Sequence, residues 1–458
     1  MPQSRHASVT RRETAAFWLL AGFLILLWVA GGASRPDVPG QVLVRVGAWG
    51  LAFALVAMRW RPEWRDLRMP GWLLAAAVLL TALQLIPLPP GIWTHLPGRE
   101  PLLPGEVLTG QSGLWRPLSI SPGWTRNALG SLIVPVVGLA LIAGLARQHD
   151  VRLLRLLIAL VIAGCLLALL QVANRALDHP LINDVLGQVS GNFANRNHMA
   201  LFAAFGCLIA PVWAVRDRAL GGWGYIVAVM LILLFMLVIL ATGSRAGILL
   251  GALGILTGVA AAFGPLRSSV AALPRRTAAV GAVGVVGALV AVMAASLALG
   301  KAAGIDRAIA LSANEDVRVK ILPTVLEMWR SFFPAGSGFG TFDPAFRIFE
   351  GNDLLGPQYY NQAHNDLLQA GLDGGIAGSA LLAAALAWWS LRSISAWRAS
   401  NALMRRTGSA ALLLVIVASA FDYPARTPMI MAVAVISAAW LARRDSDRPE
   451  PFPRNRRR

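Results

Sequence analysis

The sequence is poor in charge. Only 14% of its 458 residues are charged, whereas a soluble globular domain carries about 25%. Hydrophobic residues make up 56% of the chain, and its mean hydropathy is +0.61. This shortage of charge excludes an ordinary soluble enzyme and predicts an integral membrane protein.

Cysteine is also rare. The chain has two cysteines, Cys165 and Cys207, and both fall inside apolar runs. Neither a disulfide framework nor a thiolate metal site is therefore predicted. No two histidines have the spacing of a zinc protease, so the sequence gives no reason to expect a metal ion.

The centres of the apolar runs contain almost no ionisable residues. Arg45 lies near the end of one run, where its long side chain can snorkel to the membrane surface. Proton-coupled transporters keep charged groups near the membrane midplane. The absence of such groups argues against a proton-coupled carrier, while a carrier that uses uncharged polar groups stays open.

What the chain has in abundance is apolar runs, and these predict an all-α polytopic protein of about 12 transmembrane helices. The first run follows basic residues, as in a signal peptide, but more runs follow, so we predict an uncleaved first helix. The predicted spans lie near residues 14–32, 41–58, 70–88, 128–146, 151–172, 197–215, 222–241, 246–264, 278–298, 366–391, 408–422 and 428–442.

The spans predict four regions. About nine spans occupy residues 1–298, and a large extracytoplasmic loop, 299–365, separates the ninth span from the tenth. About three spans occupy residues 366–442, and an Arg-rich cytoplasmic tail covers 443–458. Within the loop, "VRVKILPTVLEMWRSF" predicts a short amphipathic helix.

Basic residues are unevenly divided between alternate connections. One set of connections, which includes both termini, holds 26 of the 41 basic residues and 8 of the 23 acidic residues, and the other set is neutral. The positive-inside rule places the first set in the cytoplasm. The net charge of +18 is thus a topology signal, so nucleic acid is not a predicted partner and the tail is expected to touch anionic lipid headgroups.

The extracytoplasmic face gathers the candidate functional groups. Arginine suits a lipid-linked diphosphate there, because its planar guanidinium group grips phosphate oxygens two at a time. A histidine at the same level would accept a proton from an attacking hydroxyl. The candidates on this face are Arg196, His198, Arg245, Arg318, His364 and Arg426, with Asn195 and Asn365 beside them.

Each candidate also has a purely structural interpretation. Arg245 would snorkel from a helix end, and His364 would cap the helix that follows it. Arg318 would lie on a solvated helix face and pair with Glu315 or Asp316. The remaining candidates have equally simple structural roles, so no single residue decides the function.

Two glycine-rich stretches predict packing and turns. The stretch "GSGFGT" lacks the spacing of a nucleotide-binding loop and predicts a tight turn. Gly371, Gly374, Gly375 and Gly378 have the spacing of small residues that lets helices approach closely.

The order of these motifs resembles the O-antigen ligase and O-antigen polymerase superfamily of bacterial membrane glycosyltransferases. The likeness covers roughly residues 110–440. It rests on "GNFANRNHMA" at the start of one span, "TGSRAG" between two spans, and "WRPLSISPGWT" near residue 115. It also rests on a large outer loop that passes through "FPAGSGFGTF" and ends in "AHNDLLQAGLDGGIAG".

The resemblance implies an all-helical, GT-C-like enzyme of the inner membrane that needs no nucleotide sugar, cofactor or metal. Such an enzyme transfers a glycan from undecaprenyl diphosphate to an acceptor hydroxyl at the periplasmic face, with inversion. Arg245 and Arg318 match family arginines that hold the diphosphate. His364 matches the histidine that activates the acceptor or assists the leaving group, and Asp373 stands where family members often carry a glutamate.

Several functions stay open. A ligase moves a finished polymer to lipid A–core sugar, a polymerase extends a chain on the same carrier, and a third variant transfers glycan to protein. Outside this class, the alternatives are a transporter of polysaccharide or lipid-linked oligosaccharide and a non-catalytic partner of an envelope synthase. A transporter predicts internal inverted repeats, and the sequence shows no convincing pair.

Overall fold

The protein is a bundle of long helices. The computed structural model describes residues 3–174, 176–177, 179–182, 187–271, 287, 317–355 and 360–443. The helices in these ranges are α1 (Gln3–Ala30), α2 (Pro39–Ala57), α3 (Arg68–Leu83), α4 (Pro90–Trp93), α5 (Leu103–Leu108), α6 (Pro122–Ser131), α7 (Ile133–Ala143), α8 (Asp150–Ala173), α9 (Arg196–Arg216), α10 (Gly224–Ala241), α11 (Arg245–Ala261), α12 (Phe263–Ala271), α13 (Val317–Phe332), α14 (Phe342–Phe349), α15 (Asp366–Arg398), α16 (Leu403–Ser419) and α17 (Pro428–Ala442). The described chain has two short strands, β1 (Pro87–Leu88) and β2 (Arg116–Pro117), which pair antiparallel.

Many of these helices suit a membrane. Six helical segments of the described chain are long and apolar enough to cross one, and four shorter apolar helices accompany them. The six are Pro39–Ala57, Pro122–Ala143, Arg147–Ala173, Arg196–Arg216, Gly224–Ala241 and Asp366–Arg398. The expected all-helical membrane architecture is therefore confirmed in its coarse form.

The number of spans and the division into regions stay predictions. The predicted ninth span, 278–298, lies outside the described residues apart from Gly287. The same is true of residues 299–316 and 356–359 of the large loop and of the tail from residue 444 onward. The predicted amphipathic helix of the loop is confirmed, because α13 spans Val317–Phe332.

Helix α9 forms the centre of the bundle, and α11 packs closely along it. A Cβ atom on Gly254 of α11 would lie 2.5 Å from the carbonyl oxygen of Ala204, and one on Gly258 would lie 2.5 Å from that of Leu208. Glycine thus brings the two backbones together, as in other membrane helix pairs. The first residues of α9 and α11 consequently lie side by side.

Ion pairs join connections that the charge count assigns to the same face. Arg443 Nη1 donates to Asp150 Oδ1 at 2.8 Å, and Arg155 Nη2 donates to Asp217 Oδ1 at 2.7 Å. All four residues belong to the basic, predicted cytoplasmic set. The contacts around Asp422, described below, join connections of the other set.

The glycine-rich turn at 334–340 packs against the start of α15. A Cβ atom on Gly375 would lie 2.1 Å from the carbonyl oxygen of Pro334, and one on Gly371 would lie 2.6 Å from Trp329 Nε1. Gly375 has φ +58, which interrupts the helix. The glycines do serve close packing, but at these two positions the partners are the turn and α13 rather than another spanning helix.

Gly375→Ala is expected to destabilise the protein by at least about 2 kcal/mol, because alanine is strained at positive φ and its methyl group would collide with the turn. Thermal unfolding of the purified protein in detergent measures the effect. Gly50→Ala is the control, since a Cβ there meets no described atom within 4 Å and alanine favours helix by about 0.5–1 kcal/mol. Equal melting temperatures for the two variants would contradict the packing described.

Candidate active site

Asp422 is the centre of a buried polar cluster. It lies in the connection between α16 and α17 and is 3% exposed. Its Oδ2 atom accepts hydrogen bonds from the side-chain amides of Asn195 at 3.0 Å and Asn197 at 2.6 Å. Its Oδ1 atom accepts the backbone N–H of Tyr423 at 3.0 Å and lies 3.2 Å from His364 Nδ1. One carboxylate therefore joins the start of α9 to the residues just before α15.

His364 is held by this carboxylate and does not cap α15. The cap is Asn365, whose side-chain oxygen accepts the backbone N–H of Leu368 at 2.9 Å. The expected capping role of His364 is therefore wrong, because its ring turns to Asp422 instead. The backbone of His364 has φ +52, a conformation that costs a non-glycine residue about 1–3 kcal/mol. The surrounding contacts hold it there.

The geometry prepares His364 to accept a proton. A neutral His364 ring that donates from Nδ1 to the Asp422 carboxylate leaves the electron pair of Nε2 available. The His364 side chain is 22% exposed, so a ligand can reach the ring. A carboxylate that orients an imidazole in this way is the arrangement of a general base.

The surroundings keep Asp422 charged. Burial alone would raise its pKa, but the hydrogen bond from His364 and the positive charge of Arg318 outweigh burial and hold the pKa of Asp422 well below its usual range. Burial and the adjacent carboxylate raise the pKa of Tyr423 to about 12. Asp422 is thus a fixed anion beside a neutral phenol, which favours a proton on His364 Nδ1.

Arg318 reaches the same carboxylate. It lies in the first turn of α13, and its Nη2 atom is 3.6 Å from Asp422 Oδ2. Its side chain is 31% exposed. The alternative partners Glu315 and Asp316 lie outside the described residues. Arg318 therefore contributes a partly accessible positive charge next to the candidate base.

Arg245 and Arg196 begin helices at the edge of the cluster. Ser244, the cap of α11, donates its hydroxyl hydrogen to Asn197 Oδ1 at 2.7 Å. The backbone at Arg245 is thereby tied to the amide that binds Asp422, while the Arg245 side chain is exposed. Arg196 is the first residue of α9, and its side chain is exposed as well. Both guanidinium groups are accessible to an anion.

The cluster lies where several helices begin. Helices α9, α11, α13 and α15 all have their first residues in or beside it. The first turn of a helix carries unpaired N–H groups and a partial positive charge. Arg196, Arg245 and Arg318 occupy the first or second position of three of these helices. Such an arrangement favours an anionic ligand such as a phosphate group.

The comparison with known families agrees with this geometry. Residues 228–383 match the family model described as O-antigen ligase. This match supports the resemblance to the O-antigen ligase and polymerase superfamily. No curated protein sequence matches the chain. The resemblance expected from the motifs is confirmed, and with the apolar helices it indicates a multi-pass membrane protein that acts in glycan transfer.

The O-antigen ligase match contains all three predicted catalytic residues. Arg245, Arg318 and His364 lie within residues 228–383. Asp422, which binds His364, lies beyond this segment. The site is therefore assembled from the matched region, the start of α9 and the connection that precedes α17.

His198 lies buried beneath the cluster. Its Nδ1 atom is 3.0 Å from Thr427 Oγ1, and its ring stands edge-on to that of Tyr423 with centroids 5.2 Å apart. Its buried Nε2 atom has no hydrogen-bond partner within the part of the chain that the structure describes. A small cavity lined in part by His198, Arg318 and Asp422 adjoins it. His198 thus forms part of the wall of the site.

Arg426 holds a second pair of carboxylates. Its Nε atom donates to Asp366 Oδ1 at 2.9 Å, and its Nη2 atom donates to Asp373 Oδ2 at 3.4 Å. Asp373 is fully buried and also accepts the backbone N–H of Gly340 at 3.2 Å. Arg426 therefore connects α15, the glycine-rich turn and the connection before α17.

The structure separates the candidates into three groups. Asn195, Arg318 and His364 contact Asp422 directly. Arg196 and Arg245 border the cluster with exposed side chains. The remaining candidates line or brace it, and these are His198, Asn365 and Arg426.

Sequence reasoning missed the central residue. Asp422 stands in "FDYPAR", four positions before the candidate Arg426 and in a connection assigned to the same face as His364. A candidate histidine base needs an orienting partner, and this need was the available signal for Asp422. Asn197 and Ser244 were missed as well, and they connect the starts of α9 and α11 to it.

Proposed function

We propose that this protein is an inner-membrane glycosyltransferase that moves a glycan from an undecaprenyl diphosphate carrier to a sugar hydroxyl at the periplasmic face. The acceptor is lipid A–core sugar for a ligase and a growing glycan chain for a polymerase. The observation that carries the proposal is the meeting of Arg318 and His364 on the buried Asp422, beside the starts of α9, α11, α13 and α15.

The arginines act on the donor. As the bond between the sugar and the diphosphate breaks, negative charge grows on the diphosphate oxygens. Arg318 and Arg245, with the N–H groups of the helix ends, stabilise that charge in the transition state more than in the ground state. The isoprenoid tail stays among the apolar helices while the glycan remains in water.

His364 acts on the acceptor. Its Nε2 atom accepts the hydrogen of the acceptor hydroxyl as the oxygen bonds to the anomeric carbon. The electron pair of the breaking carbon–oxygen bond leaves with the diphosphate, and a single displacement of this kind inverts the anomeric centre. Asp422 stabilises the positive charge that forms on the imidazole ring. No step requires a metal ion or a nucleotide sugar.

The lipid-linked and surface glycans of a deletion strain test the proposal. The strain is complemented with the wild type, with His364→Ala, or with Lys320→Ala, an exposed position on the same helix as Arg318. Membrane levels of each protein are measured first. We expect the wild type and Lys320→Ala to restore the surface glycan and His364→Ala to fail.

The lipid-linked glycan that accumulates in the His364→Ala strain then distinguishes a ligase from a polymerase. Long chains left on undecaprenyl diphosphate identify a ligase, whereas single repeat units identify a polymerase. Full restoration by His364→Ala at normal membrane levels would contradict the proposal. It would favour the transporter, which needs an open pathway but no base.

A further inference from the structure

The segment between α3 and α6 contains a loop that is closed at its base by the paired strands β1 and β2, in which Leu88 pairs with Arg116. The residues between these two strands, 89–115, are called the excursion, and the two strands are its stem. The stem begins four residues after the end of α3. The excursion therefore starts close to the end of α3.

Two of the three charged residues of the excursion, Arg99 and Glu106, are buried, and the third, Glu100, is exposed. Arg99 is 0% exposed and donates to the carbonyl oxygen of Gly336 at 3.1 Å and to that of Pro97 at 2.8 Å. Glu106 is 8% exposed, and its Oε1 atom lies 3.0 Å from Arg116 Nε. These buried or paired charges are unavailable to the outer surface of the excursion.

The same excursion has large apolar residues outside. Their exposed fractions are 70% for Val107, 87% for Leu108, 55% for Leu114 and 65% for Trp115. Scattered exposed apolar residues are common in proteins, but four large ones within residues 107–115 indicate a surface that binds something apolar.

The apolar surface continues along α3. Trp72, Leu79 and Leu83 are exposed by 71%, 59% and 49%, and their spacing places them on one helical face. Ile86, just after the helix, is exposed by 52%, and Ile92 in the excursion by 52%. A helix of a membrane protein presents such a face to lipid. The excursion therefore extends a lipid-facing surface.

We propose that the apolar side chains of the tip of the excursion, residues 107–115, lie in the boundary between headgroups and acyl chains of the leaflet that borders α3, while the exposed polar stretch 109–113 between them faces water. Exposed leucine and valine side chains bury apolar area there, and tryptophan favours this depth. Through Arg99 the excursion also binds the glycine-rich turn that supports α15. The bilayer surface thereby helps to fix the position of the candidate site.

Depth measurements on the full-length protein in liposomes test this. Leu108→Cys and the matched control Ser112→Cys, which is also exposed and lies in the same tip, are labelled with an environment-sensitive fluorophore. Cys165 and Cys207 are buried, and labelling of the parent protein gives the background. We expect the label at 108 to be quenched by lipids brominated near the headgroup and protected from aqueous iodide, relative to the label at 112.

Equal iodide quenching at the two positions, with no effect of brominated lipid, would overturn the proposal. That result would place the tip in water and make the apolar patch a surface for a protein or glycolipid partner. The measurement does not depend on glycan transfer, so it stands apart from the test of the proposed function.

Discussion

His364→Ala is expected to lower glycan transfer by about 10²–10⁴-fold, the range typical of losing a general base. The variant removes the Nε2 atom that would accept the acceptor proton and leaves Asp422 without one of its hydrogen-bond donors. Transfer from a purified lipid-linked donor to acceptor glycan, followed with protein in liposomes, measures the change. Donor binding should be affected far less, because the arginines remain.

The substitution His364→Asn separates chemistry from folding. Asparagine tolerates the left-handed backbone conformation that His364 adopts at φ +52, and its amide can still donate to a carboxylate. We expect the asparagine variant to melt close to the wild type and yet to be inactive. Wild-type transfer by this variant would show that His364 braces the site without acting as a base.

Asp422→Asn is expected to damage both activity and stability although the two side chains have the same shape. Four donors converge on this carboxylate, two from side-chain amides, one from the backbone of Tyr423 and one from His364. Whichever way the new amide turns, its NH₂ group faces donors. We expect the free energy of unfolding to fall by about 2–3 kcal/mol. Breaking a fully buried ion pair costs about 3–5 kcal/mol, and the expected effect is smaller because His364 and Arg318 are partly exposed.

Activity should fall by between about tenfold and 10⁴-fold, because the imidazole loses the partner that fixes its proton. The pH dependence follows from the lowered pKa of Asp422. Its contribution to stability is fully present above about pH 4, the range of an unfolded aspartate, and disappears only as pH falls through the lower folded value. The melting temperatures of the wild type and of Asp422→Asn, measured from pH 7 to pH 5, test this expectation. A difference between the two proteins that shrinks as the pH falls through this range would contradict it.

The spans and the amphipathic helix of the loop were predictable because they depend on local pattern. An apolar run ends where polar residues begin, and this gave both ends of α17 at Pro428–Ala442. The same pattern gave α13. The break in α15 at Gly375 was not predictable, because it depends on the carbonyl oxygen of Pro334, a tertiary contact without a local signal.

The residue types of the site were predictable, but the contacts between their side chains were less so. Motif order led to Arg318 and His364, but the partner of His364 lies 58 residues further along the chain. Nothing near Asp422 in sequence specifies that contact. Arg99 is a stronger case, since "PGREP" suggests a solvated turn while the fold buries its guanidinium group against Gly336, 237 residues away.

The position of Asp422 along the chain has a consequence for biogenesis. Asp422 lies in the connection between α16 and α17, the last two described helices. During insertion from the N-terminus, this connection therefore follows nearly all of the other described helices. A chain arrested earlier in insertion holds Arg245, Arg318 and His364 but lacks the carboxylate that orients the imidazole. Under the proposed function, we therefore expect glycan transfer only after the last pair of helices has been inserted.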